Sequence, residues 1–401
     1  MKHVILAILV CVSVVLPAGG VAQPRVATFP VIVVFRDDVP FQGFRRVFRP
    51  DARARANPAA WDYLDPGVAG LVQDLEARLG FLADYIYSAA LRGFAARLTA
   101  RQILALERDP AVAYVEADGT MVATAQVLPW GIDRIDADIS STQAGNGSGA
   151  ISNVSVFIVD TGIGIDHQDL NVVNHVKFTL GPNRDCNGHG THVAGTAAAR
   201  DNTIDVVGAA PGAPLTGVKV LNCLGVGSTS GVIKGVDWVA ANAVKPAVAN
   251  MSLGGAASTA LDNAVKSSAD SGVVYAVAAG NSASDACLES PARAGTHPGV
   301  VTTAATDQND EEASFSNFGP CVDLWAPGVD ILSTKLGGGT TTLSGTSMAS
   351  PHVAGTAALY LSSNPTATPA QVENQLKTNA VSTGTTSKNG DPIDLVYAGL
   401  Y

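Results

Sequence analysis

The chain has 401 residues, of which 47% are hydrophobic and 15% are charged. The charged fraction is below the ~25% of an average soluble domain, and this composition excludes intrinsic disorder as a description of the whole chain. The 25 basic and 35 acidic residues give a formal net charge of −10. Nucleic-acid binding requires clustered Lys and Arg, so this balance argues against a nucleic-acid partner.

The N-terminus has the pattern of a secretory signal peptide. Lys2 and His3 precede an apolar run, Val4 to Leu16, and small residues then lead to Ala22. A membrane anchor is the alternative, but the run is shorter than the ~20 residues that span a bilayer. We therefore predict a signal peptide over residues 1–22 and a secreted, extracellular chain with no membrane partner after its removal.

Charge divides the rest of the chain near residue 122, because residues 23–122 are electrically neutral and the negative charge lies in residues 123–401. Hydrophobic periodicity predicts that the first segment is a small α+β domain. An Arg-rich loop is expected over 41–64 and a linker over 117–120. The predicted strands cover 30–36, 82–87, 94–98 and 112–115, and the predicted helices cover 68–79 and 100–107.

The second segment alternates apolar strand patterns with helical patterns. Such alternation predicts an α/β domain with a mostly parallel sheet covered by helices on both faces. Polar residues at the carboxyl ends of its strands are then the candidates for a site. The predicted strands cover 154–159, 214–221, 247–251, 273–278 and 300–305, and the predicted helices cover 191–199, 230–243, 258–271 and a stretch that ends at 361.

Three polar residues stand out in this segment. Asp160 ends a predicted strand, His189 precedes an Ala-rich helix, and Ser347 opens another helix. A serine hydroxyl becomes nucleophilic when an imidazole takes its proton, and a carboxylate orients that imidazole. Each residue alone also fits a turn or cap, but together in this order they indicate acyl transfer through a serine. His192, three residues after His189, is interpreted as a structural histidine.

Cysteine usage fits an exported protein. Cys11 lies in the signal segment, and an even set remains: Cys186, Cys223, Cys287 and Cys321. An even count in an exported chain favours disulfides. Four cysteines allow three connectivities, and spacing alone does not choose among them.

Five motifs, in order, resemble those of the subtilisin-like serine proteases, in the branch of proteinase K and aqualysin. The resemblance runs from about Pro129 to the C-terminus, and residues 29–118 resemble the family's inhibitor-type propeptide. The motifs are Val159-Asp160-Thr161-Gly162, Gly188-His189-Gly190-Thr191-His192, Asn250-Met251-Ser252-Leu253-Gly254-Gly255, Ala278-Ala279-Gly280-Asn281 and Gly345-Thr346-Ser347-Met348-Ala349-Ser350-Pro351-His352.

The resemblance implies a role for each matching residue. Ser347 would be the nucleophile, His189 the general base and then acid, and Asp160 its orienting partner. Asn281 would donate to the oxyanion together with the backbone N–H of Ser347. The two edges that hold a substrate peptide as an added strand would be Ser252, Leu253 and Gly254 on one side and Leu224, Gly225 and Val226 on the other.

The resemblance also implies an activation scheme. Residues 23–122 would be a propeptide that acts as an intramolecular inhibitor, with the mature enzyme beginning near Ala123; a permanent partner domain is the alternative. The peptidase domain, residues 123–401, would cleave itself free and act as a monomer without a catalytic cofactor. Its specificity would be broad, with a preference for apolar or aromatic residues before the cleaved bond.

Two further implications concern stability. By resemblance to aqualysin-type relatives, Cys186 would pair with Cys223 and Cys287 with Cys321. Structural calcium would bind Asp323 with the backbone carbonyls of Pro291 and Arg293. Asp133 and Asp136 match a second calcium position of some relatives.

Other classes fit less well. An α/β-hydrolase would place its serine in Gly-x-Ser-x-Gly and before the Asp and His, whereas Ser347 has neither feature. Zinc ligation by Cys186, His189, His192 and Cys223 lacks a recognised spacing. A secreted binding module on an inactive protease fold is the alternative from a different class, and it would normally have lost Asn281 or a member of the triad.

Overall fold

The structure is a computed structural model and describes residues 27–39, 65–118 and 126–401. Its contacts divide the chain into two compact units between Val122 and Ala123. The predicted signal peptide, the predicted loop over 41–64 and the predicted start of the mature enzyme lie outside the described residues. The domain bounds 1–22, 23–122 and 123–401 stay predictions.

The first unit is the expected small α+β domain. Its antiparallel sheet has the strand order β2-β3-β1-β4. Each predicted element is present, with ends that differ by at most about two residues, as is usual for helix and strand boundaries. The elements are β1 (Phe29–Phe35), α1 (Pro66–Leu79), β2 (Ala83–Tyr87), β3 (Gly93–Leu98), α2 (Ala100–Glu107) and β4 (Val112–Ala117).

Local sequence explains where the helices of this unit begin and end. Asp65 caps α1 by accepting from the backbone N–H groups of its first turn, and Gly80 ends α1 in the left-handed region with φ 71°. Thr99 and Gln102 form a reciprocal capping box at the start of α2. The helices cover a core of their own, which includes Leu75, Leu98 and Phe94.

The second unit contains the predicted alternation of strands and helices. Its short elements include β9 and β11, which pair with each other outside the main sheet. The elements are α3 (Trp130–Arg134), β5 (Ser155–Asp160), β6 (Val172–Lys177), α4 (His189–Ala198), β7 (Leu215–Lys219), α5 (Thr229–Asn242), β8 (Ala247–Met251), β9 (Gly255–Ala256), α6 (Thr259–Asp270), β10 (Val273–Ala278), β11 (Glu289–Ser290), β12 (Val300–Thr306), β13 (Leu324–Pro327), β14 (Ile331–Thr334), β15 (Thr340–Leu343), α7 (Thr346–Ser363), α8 (Pro369–Thr378), β16 (Val381–Thr386) and β17 (Pro392–Leu395).

The main sheet has the order β16-β17-β13-β12-β10-β8-β5-β7-β6. Its pairs are parallel except β16 with β17 at one edge. This confirms the predicted mostly parallel α/β fold. From β5 the chain goes to the edge strand β6, returns to β7 and then crosses to β8 on the other side of β5, from where β10, β12 and β13 follow outward. The order of the sheet therefore reverses between β5 and β8. Ligands of such sheets bind beyond the carboxyl ends of the strands at this point.

Both faces of the sheet are covered, as predicted. Along β5, Val156 and Ile158 point into the core beneath α4 and α7, whereas Phe157 and Val159 point into the core beneath α5 and α6. Alternate side chains of one strand therefore enter different cores, which explains why this strand is apolar throughout.

Several elements were not predicted, among them the helices α3 and α8 and the short pair β9 and β11. The edge strand β6 contains Asn174, His175 and Lys177, and its mixed exposure obscures any apolar run. The strands β13, β14, β15 and β17 have four residues each, which leaves too few residues for a periodic signal. In addition, α4 begins at His189 rather than at the predicted Thr191.

The disulfide pairing implied by the resemblance is confirmed. Cys186 is bonded to Cys223 and Cys287 to Cys321. The bonded sulfurs also remove the zinc set considered above, because a disulfide sulfur is not a thiolate ligand. Within the part of the chain that the structure describes, no helix has the length and apolar character that crossing a bilayer requires.

Candidate active site

The carboxyl ends of three neighbouring strands deliver polar side chains to one edge of the sheet. Asp160 is the last residue of β5, Ser252 follows the end of β8, and Asn281 lies three residues beyond the end of β10. Because the strands are parallel and adjacent, these residues share one end of the sheet.

His189 is bound to Asp160. The imidazole Nδ1 lies 2.8 Å from Asp160 Oδ1 and 2.9 Å from Oδ2. Asp160 is fully buried, and the backbone N–H of Thr161 donates to its Oδ1 at 2.6 Å. The carboxylate therefore fixes the tautomer with the proton on Nδ1 and leaves Nε2 as the basic nitrogen.

Two opposing effects act on the pKa of His189. Burial is the largest single effect and opposes protonation of the imidazole, but the charge and the hydrogen bond of Asp160 together with the charge of Asp185 outweigh it. The pKa of His189 is raised above its usual value. The site therefore favours the imidazolium that would form when His189 accepts a proton.

Ser347 is the second residue of α7, so its side chain lies at a helix N-terminus. Its hydroxyl donates to the backbone carbonyl of Ser252 at 3.2 Å, and the hydroxyl of Ser252 donates to the carbonyl of Ser347 at 2.7 Å. This reciprocal pair joins the start of α7 to the end of β8. The unpaired N–H groups of the first helical turn favour negative charge beside Ser347.

The amide of Asn281 is fixed in one orientation. Its Oδ1 accepts from both the backbone N–H and the hydroxyl of Thr346, at 2.8 and 2.9 Å. Because a backbone N–H cannot accept, Nδ2 must point to the other side. The amide group and the backbone nitrogen of Ser347 both lie within 4 Å of the space that a Cβ on Gly345 would fill. Two nitrogen donors thus lie near one small space beside Ser347.

The two predicted substrate edges enclose a cleft of about 500 Å³. Ser252, Leu253 and Gly254 line one side, and Gly225 and Val226 line the other together with His189. Leu224 is 83% exposed and does not belong to this lining. The cleft is therefore bounded by two backbone segments that can each accept or donate hydrogen bonds to an extended peptide.

The sequence interpretation missed Glu289. Its Oε1 accepts from the hydroxyl of Ser282 at 2.9 Å. Its Oε2 lies 2.6 Å from the position that a Cβ on Gly280 would take and 3.5 Å from that on Gly254. The carboxylate therefore lies between the segment that contains Gly254 and the segment that contains Gly280 and Asn281. No local sequence pattern indicated Glu289, because it lies outside every motif and only folding brings it close to Gly254 and Gly280.

Asp185 and Lys219 were missed as well. Both are buried, and both touch the turn that contains Asp160 and Thr161. His192 has the structural position that the sequence predicted, since it is buried and its Nε2 bonds the carbonyl of Ile331 at 3.0 Å.

A lysine ammonium stands at the predicted calcium position of Asp323. Oδ1 of Asp323 accepts from Lys377 Nζ at 2.7 Å, and Oδ2 accepts from the backbone N–H of Thr302 at 2.9 Å. An ammonium group bound to the carboxylate repels a divalent cation. The groups around Asp323 therefore do not fit calcium, and no step below uses an ion there.

Two of the other predicted calcium ligands accept a backbone hydrogen bond through their carbonyls. The carbonyl of Pro291 accepts from the N–H of Ala294 at 2.8 Å, and that of Asp133 accepts from the N–H of Asp136 at 2.8 Å. The sulfur that lies 4.0 Å from the carbonyl of Arg293 belongs to the Cys287–Cys321 disulfide and has no proton to donate. Among the described residues there is no cluster of three or more His, Cys, Asp or Glu that could hold a metal ion.

The sheet and its carboxyl-edge residues define a class of protein. A carboxylate bound to an imidazole, at the same edge of the sheet as a serine that opens a helix and bonds Ser252, is consistent with a serine hydrolase. Comparisons with known proteins narrow this class to one family.

The subtilase family matches residues 152–396, and the peptidase inhibitor I9 family matches residues 65–123. The extracellular serine proteinase of Thermus sp. (strain Rt41A) is 48% identical over 310 residues, which cover 74% of this chain and 73% of that protein. Alkaline serine exoprotease A of Vibrio alginolyticus is 43% identical over 330 residues, 79% of this chain and 60% of that protein.

The crystal structure of a cold adapted subtilisin-like serine proteinase shares 44% sequence identity with this chain. The match covers 69% of this chain and 99% of the chain in that crystal structure, with a TM-score of 0.60. The chain therefore belongs to the subtilase family and is a serine endopeptidase that carries an I9 propeptide domain. This confirms the family and the fold that the five motifs indicated.

Proposed function

We propose that the chain is a secreted, extracellular endopeptidase that hydrolyses peptide bonds through an acyl-enzyme on Ser347, with His189 and Asp160 completing the triad. The observation that carries the proposal is the bond from His189 Nδ1 to buried Asp160, which leaves Nε2 free for the hydroxyl at the start of α7. The extracellular name of the Thermus relative supports the location.

Each residue has a defined part in the reaction. As Ser347 Oγ attacks the carbonyl carbon, its proton passes to His189 Nε2, and Asp160 stabilises the imidazolium. His189 then gives this proton to the leaving amine. A water molecule, deprotonated by the same nitrogen, releases the acyl group and restores the hydroxyl of Ser347.

The oxyanion that forms during attack would be held by two donors. In support of this, Asn281 Nδ2 and the backbone nitrogen of Ser347 lie near the same space beside Gly345, and Thr346 holds the amide of Asn281 in one orientation. Donors that need no reorganisation stabilise developing charge effectively. No catalytic cofactor takes part in this scheme.

The substrate would lie as an extended strand between two edges, Ser252–Gly254 and Leu224–Val226. The exposed apolar side chains of Leu224 and Val226 favour broad binding of apolar peptides. We propose an apolar or aromatic preference at the residue before the cleaved bond. Protein and peptide substrates, rather than nucleic acid or membrane, are the partners of this site.

The I9 domain would act as the chain's own inhibitor until the peptidase domain removes it near Ala123. A zymogen of this kind protects the producing cell from an exported protease. The mature enzyme would be a monomer. Subtilases commonly bind structural calcium, and for this chain a calcium site is proposed only at Asp133 and Asp136, since Asp323 does not fit the ion.

The alternative, a binding module on an inactive protease fold, predicts no covalent chemistry at Ser347. We would express the full chain, the variant Ser347→Ala and the control Ser344→Ala, which changes an exposed serine three residues earlier. Casein hydrolysis and the intact mass of each protein would be measured.

The proposal expects that the parent and Ser344→Ala hydrolyse casein and lose about the first 122 residues. Ser347→Ala should do neither. Hydrolysis by purified Ser347→Ala would contradict the role of Ser347. Normal maturation of Ser347→Ala alone would contradict self-processing and leave the catalytic assignment intact.

A further inference from the structure

Asp185 is a second buried carboxylate beside the candidate triad. It is 3% exposed, and its two oxygens accept five hydrogen bonds of 2.6–3.1 Å. Only an ionised carboxylate accepts from donors on every side without a proton of its own. The donors are the hydroxyls of Thr161 and Thr191 and the backbone N–H groups of Asn187, Gly188 and Thr191.

These bonds join the two segments that carry Asp160 and His189. Thr161 follows Asp160 directly, and its hydroxyl donates to Asp185 Oδ1 at 3.0 Å while accepting from the N–H of Gly190 at 2.9 Å. Thr191 belongs to the first turn of α4, which begins at His189. Asp185 therefore fixes the first turn of α4 against the end of β5.

Lys219 is a buried cation in the same place. It is the last residue of β7, lies opposite Asp160 in the parallel register and is fully buried. Its ammonium donates to the carbonyl of Thr161 at 2.5 Å and lies 3.4 Å from the sulfur of Cys186, the residue after Asp185. A lysine is rarely buried in this way without a negative partner.

The buried charges around His189 nearly cancel. Asp160 and Asp185 contribute two negative charges and Lys219 one positive charge, so the cluster carries −1 when His189 is neutral and zero when it is an imidazolium. The other titratable groups that face it are His192 on α4 and His175 and Lys177 on β6. Burial lowers the pKa of His192 to about 4 and also lowers the pKa of His175, so both histidines stay neutral near pH 7; Lys177 is exposed to solvent.

We propose that Asp185 and Lys219 are positioning residues that set, by their opposite charges, how readily His189 holds a proton during catalysis. Asp185 favours the imidazolium and Lys219 disfavours it, and neither touches the substrate. This inference rests on the proposed roles of His189 and Ser347.

The electrostatics support the effect of Asp185 on His189. The charge of Asp185 contributes to the raised pKa of His189, after the larger effects of burial and of Asp160. Burial lowers the pKa of Lys219, while Asp185 and Asp160 oppose that effect. Lys219 therefore interacts with both carboxylates, and its effect on His189 is inferred from its place opposite Asp160 in a poorly screened interior.

The test compares variants that should shift the midpoint of the acidic limb in opposite directions. The full chain and the variants Asp185→Asn, Lys219→Met and Lys219→Arg would be matured, and their active fraction titrated with a fluorophosphonate that labels Ser347. The pH dependence of kcat/KM on a small peptide would then give the midpoint of the acidic limb. Lys234→Met, an exposed lysine on α5, is the matched control.

Loss of Asp185 should lower the midpoint and loss of Lys219 should raise it, each by about half a pH unit or more. Lys219→Arg and Lys234→Met should keep the parent midpoint. A structural role alone would reduce kcat/KM without moving the two midpoints in opposite directions. Equal midpoints, or shifts of the same sign, would overturn the inference.

A variant that does not mature is tested in the Ser347→Ala background, where the NMR signals of the His189 ring give its pKa directly. We expect the pKa of His189 to shift in the same directions there, and the absence of these shifts would overturn the inference. Failure of the proposed function shows itself differently, as a parent enzyme that the fluorophosphonate does not label at Ser347.

Discussion

At the residue scale, the site depends on side chains that are held before any substrate arrives. Thr346 fixes the amide of Asn281 through two hydrogen bonds, and Asp160 fixes the ring of His189 through Nδ1. Preorganised groups of this kind contribute to the transition state without the cost of ordering them.

Removal of the Asn281 amide should lower kcat far more than it changes KM. The amide would bind an oxyanion that exists only in the transition state, so Asn281→Ala should lower kcat by about 10²–10³-fold, the usual loss for such a donor. Steady-state kinetics on a small peptide measure both constants. The exposed Asn309→Ala is the control, and an Asn281→Ala enzyme with normal kcat would exclude the proposed donor.

The carboxylate of Glu289 should make long basic side chains acceptable besides apolar ones. Its Oε2 lies close to Gly254 and Gly280, in the walls that flank Ser347, and none of the ion pairs resolved among the described residues involves it. Glu289→Gln should lower the kcat/KM ratio of a Lys substrate to a Phe substrate by about 10-fold, which corresponds to 1.4 kcal/mol.

The control for this change is Glu311→Gln, which removes an exposed carboxylate elsewhere in the same unit. It should leave the Lys to Phe ratio unchanged. An unchanged ratio in Glu289→Gln would show that the carboxylate does not reach the side chain before the cleaved bond.

The sequence predicted the residues with distinctive motifs and missed those whose role depends on contacts across the fold. Asp160, His189, Ser347 and Asn281 each belong to a small-residue motif. Asp185 lies only four residues before His189, yet nothing local indicates that Thr161, 24 residues earlier, donates to it.

At the element scale, α4 and α7 pack against each other and each buries a histidine. His192 bonds the carbonyl of Ile331, and His352 bonds that of Met348. Among the described residues, Nδ1 of His192 and Nε2 of His352 have no hydrogen-bond partner. Protonation of either ring would place an uncompensated charge between the helices.

These histidines should make the fold sensitive to acid. Burial lowers the pKa of His192 and of His352 to about 4, below the ordinary 6.5 of the unfolded chain. Their contribution to stability is therefore complete above pH 6.5 and is lost as the pH falls toward 4. Because of each histidine, the free energy of unfolding should fall by about 2–3 kcal/mol between pH 7 and pH 4.5.

Denaturant unfolding of the Ser347→Ala protein at several pH values measures this loss without self-digestion. His352→Gln in the same background removes one titrating ring, so its stability should fall less steeply over the same range. Burial also raises the pKa of Asp169 to about 6, an effect of opposite sign, and the comparison between variant and parent removes it. Equal slopes in both proteins would contradict the prediction.

Elements were predictable where the chain is strongly periodic. The central strands β5, β8 and β10 are buried on both faces, and their apolar runs indicated both their positions and a parallel sheet. Edge strand β6 and the short strands after β12 depend on pairing partners distant in sequence. Their local patterns were therefore uninformative.

At the scale of the whole molecule, two disulfides each join two segments that lie between the strands of the peptidase unit. Cys186 lies three residues before His189, and its partner Cys223 precedes the proposed substrate edge at Leu224. Cys287 and Cys321 join the segment before β11 to that before β13. The first pair therefore lies next to the site and the second lies farther along the sheet.

Removal of the two disulfides should have different consequences. Replacement of either pair by alanine should lower stability by about 3–4 kcal/mol, because the sequence separations of 37 and 34 residues close loops of similar length. Only loss of Cys186–Cys223 should also raise KM, since it frees the 224–226 edge. Melting curves in the Ser347→Ala background and peptide kinetics in the active background test both halves; a raised KM in the Cys287–Cys321 variant alone would contradict the prediction.

Peptide hydrolysis by this chain should pass through a covalent acyl-enzyme on Ser347. Rapid mixing of the mature enzyme with an activated ester, an acid quench and peptide mapping by mass spectrometry measure this intermediate directly. We predict a burst of released alcohol equal to the enzyme concentration and an acyl group on Ser347, both of which His189→Ala should abolish. Steady turnover without a burst, and with Ser347 unmodified, would contradict an acyl-enzyme on Ser347.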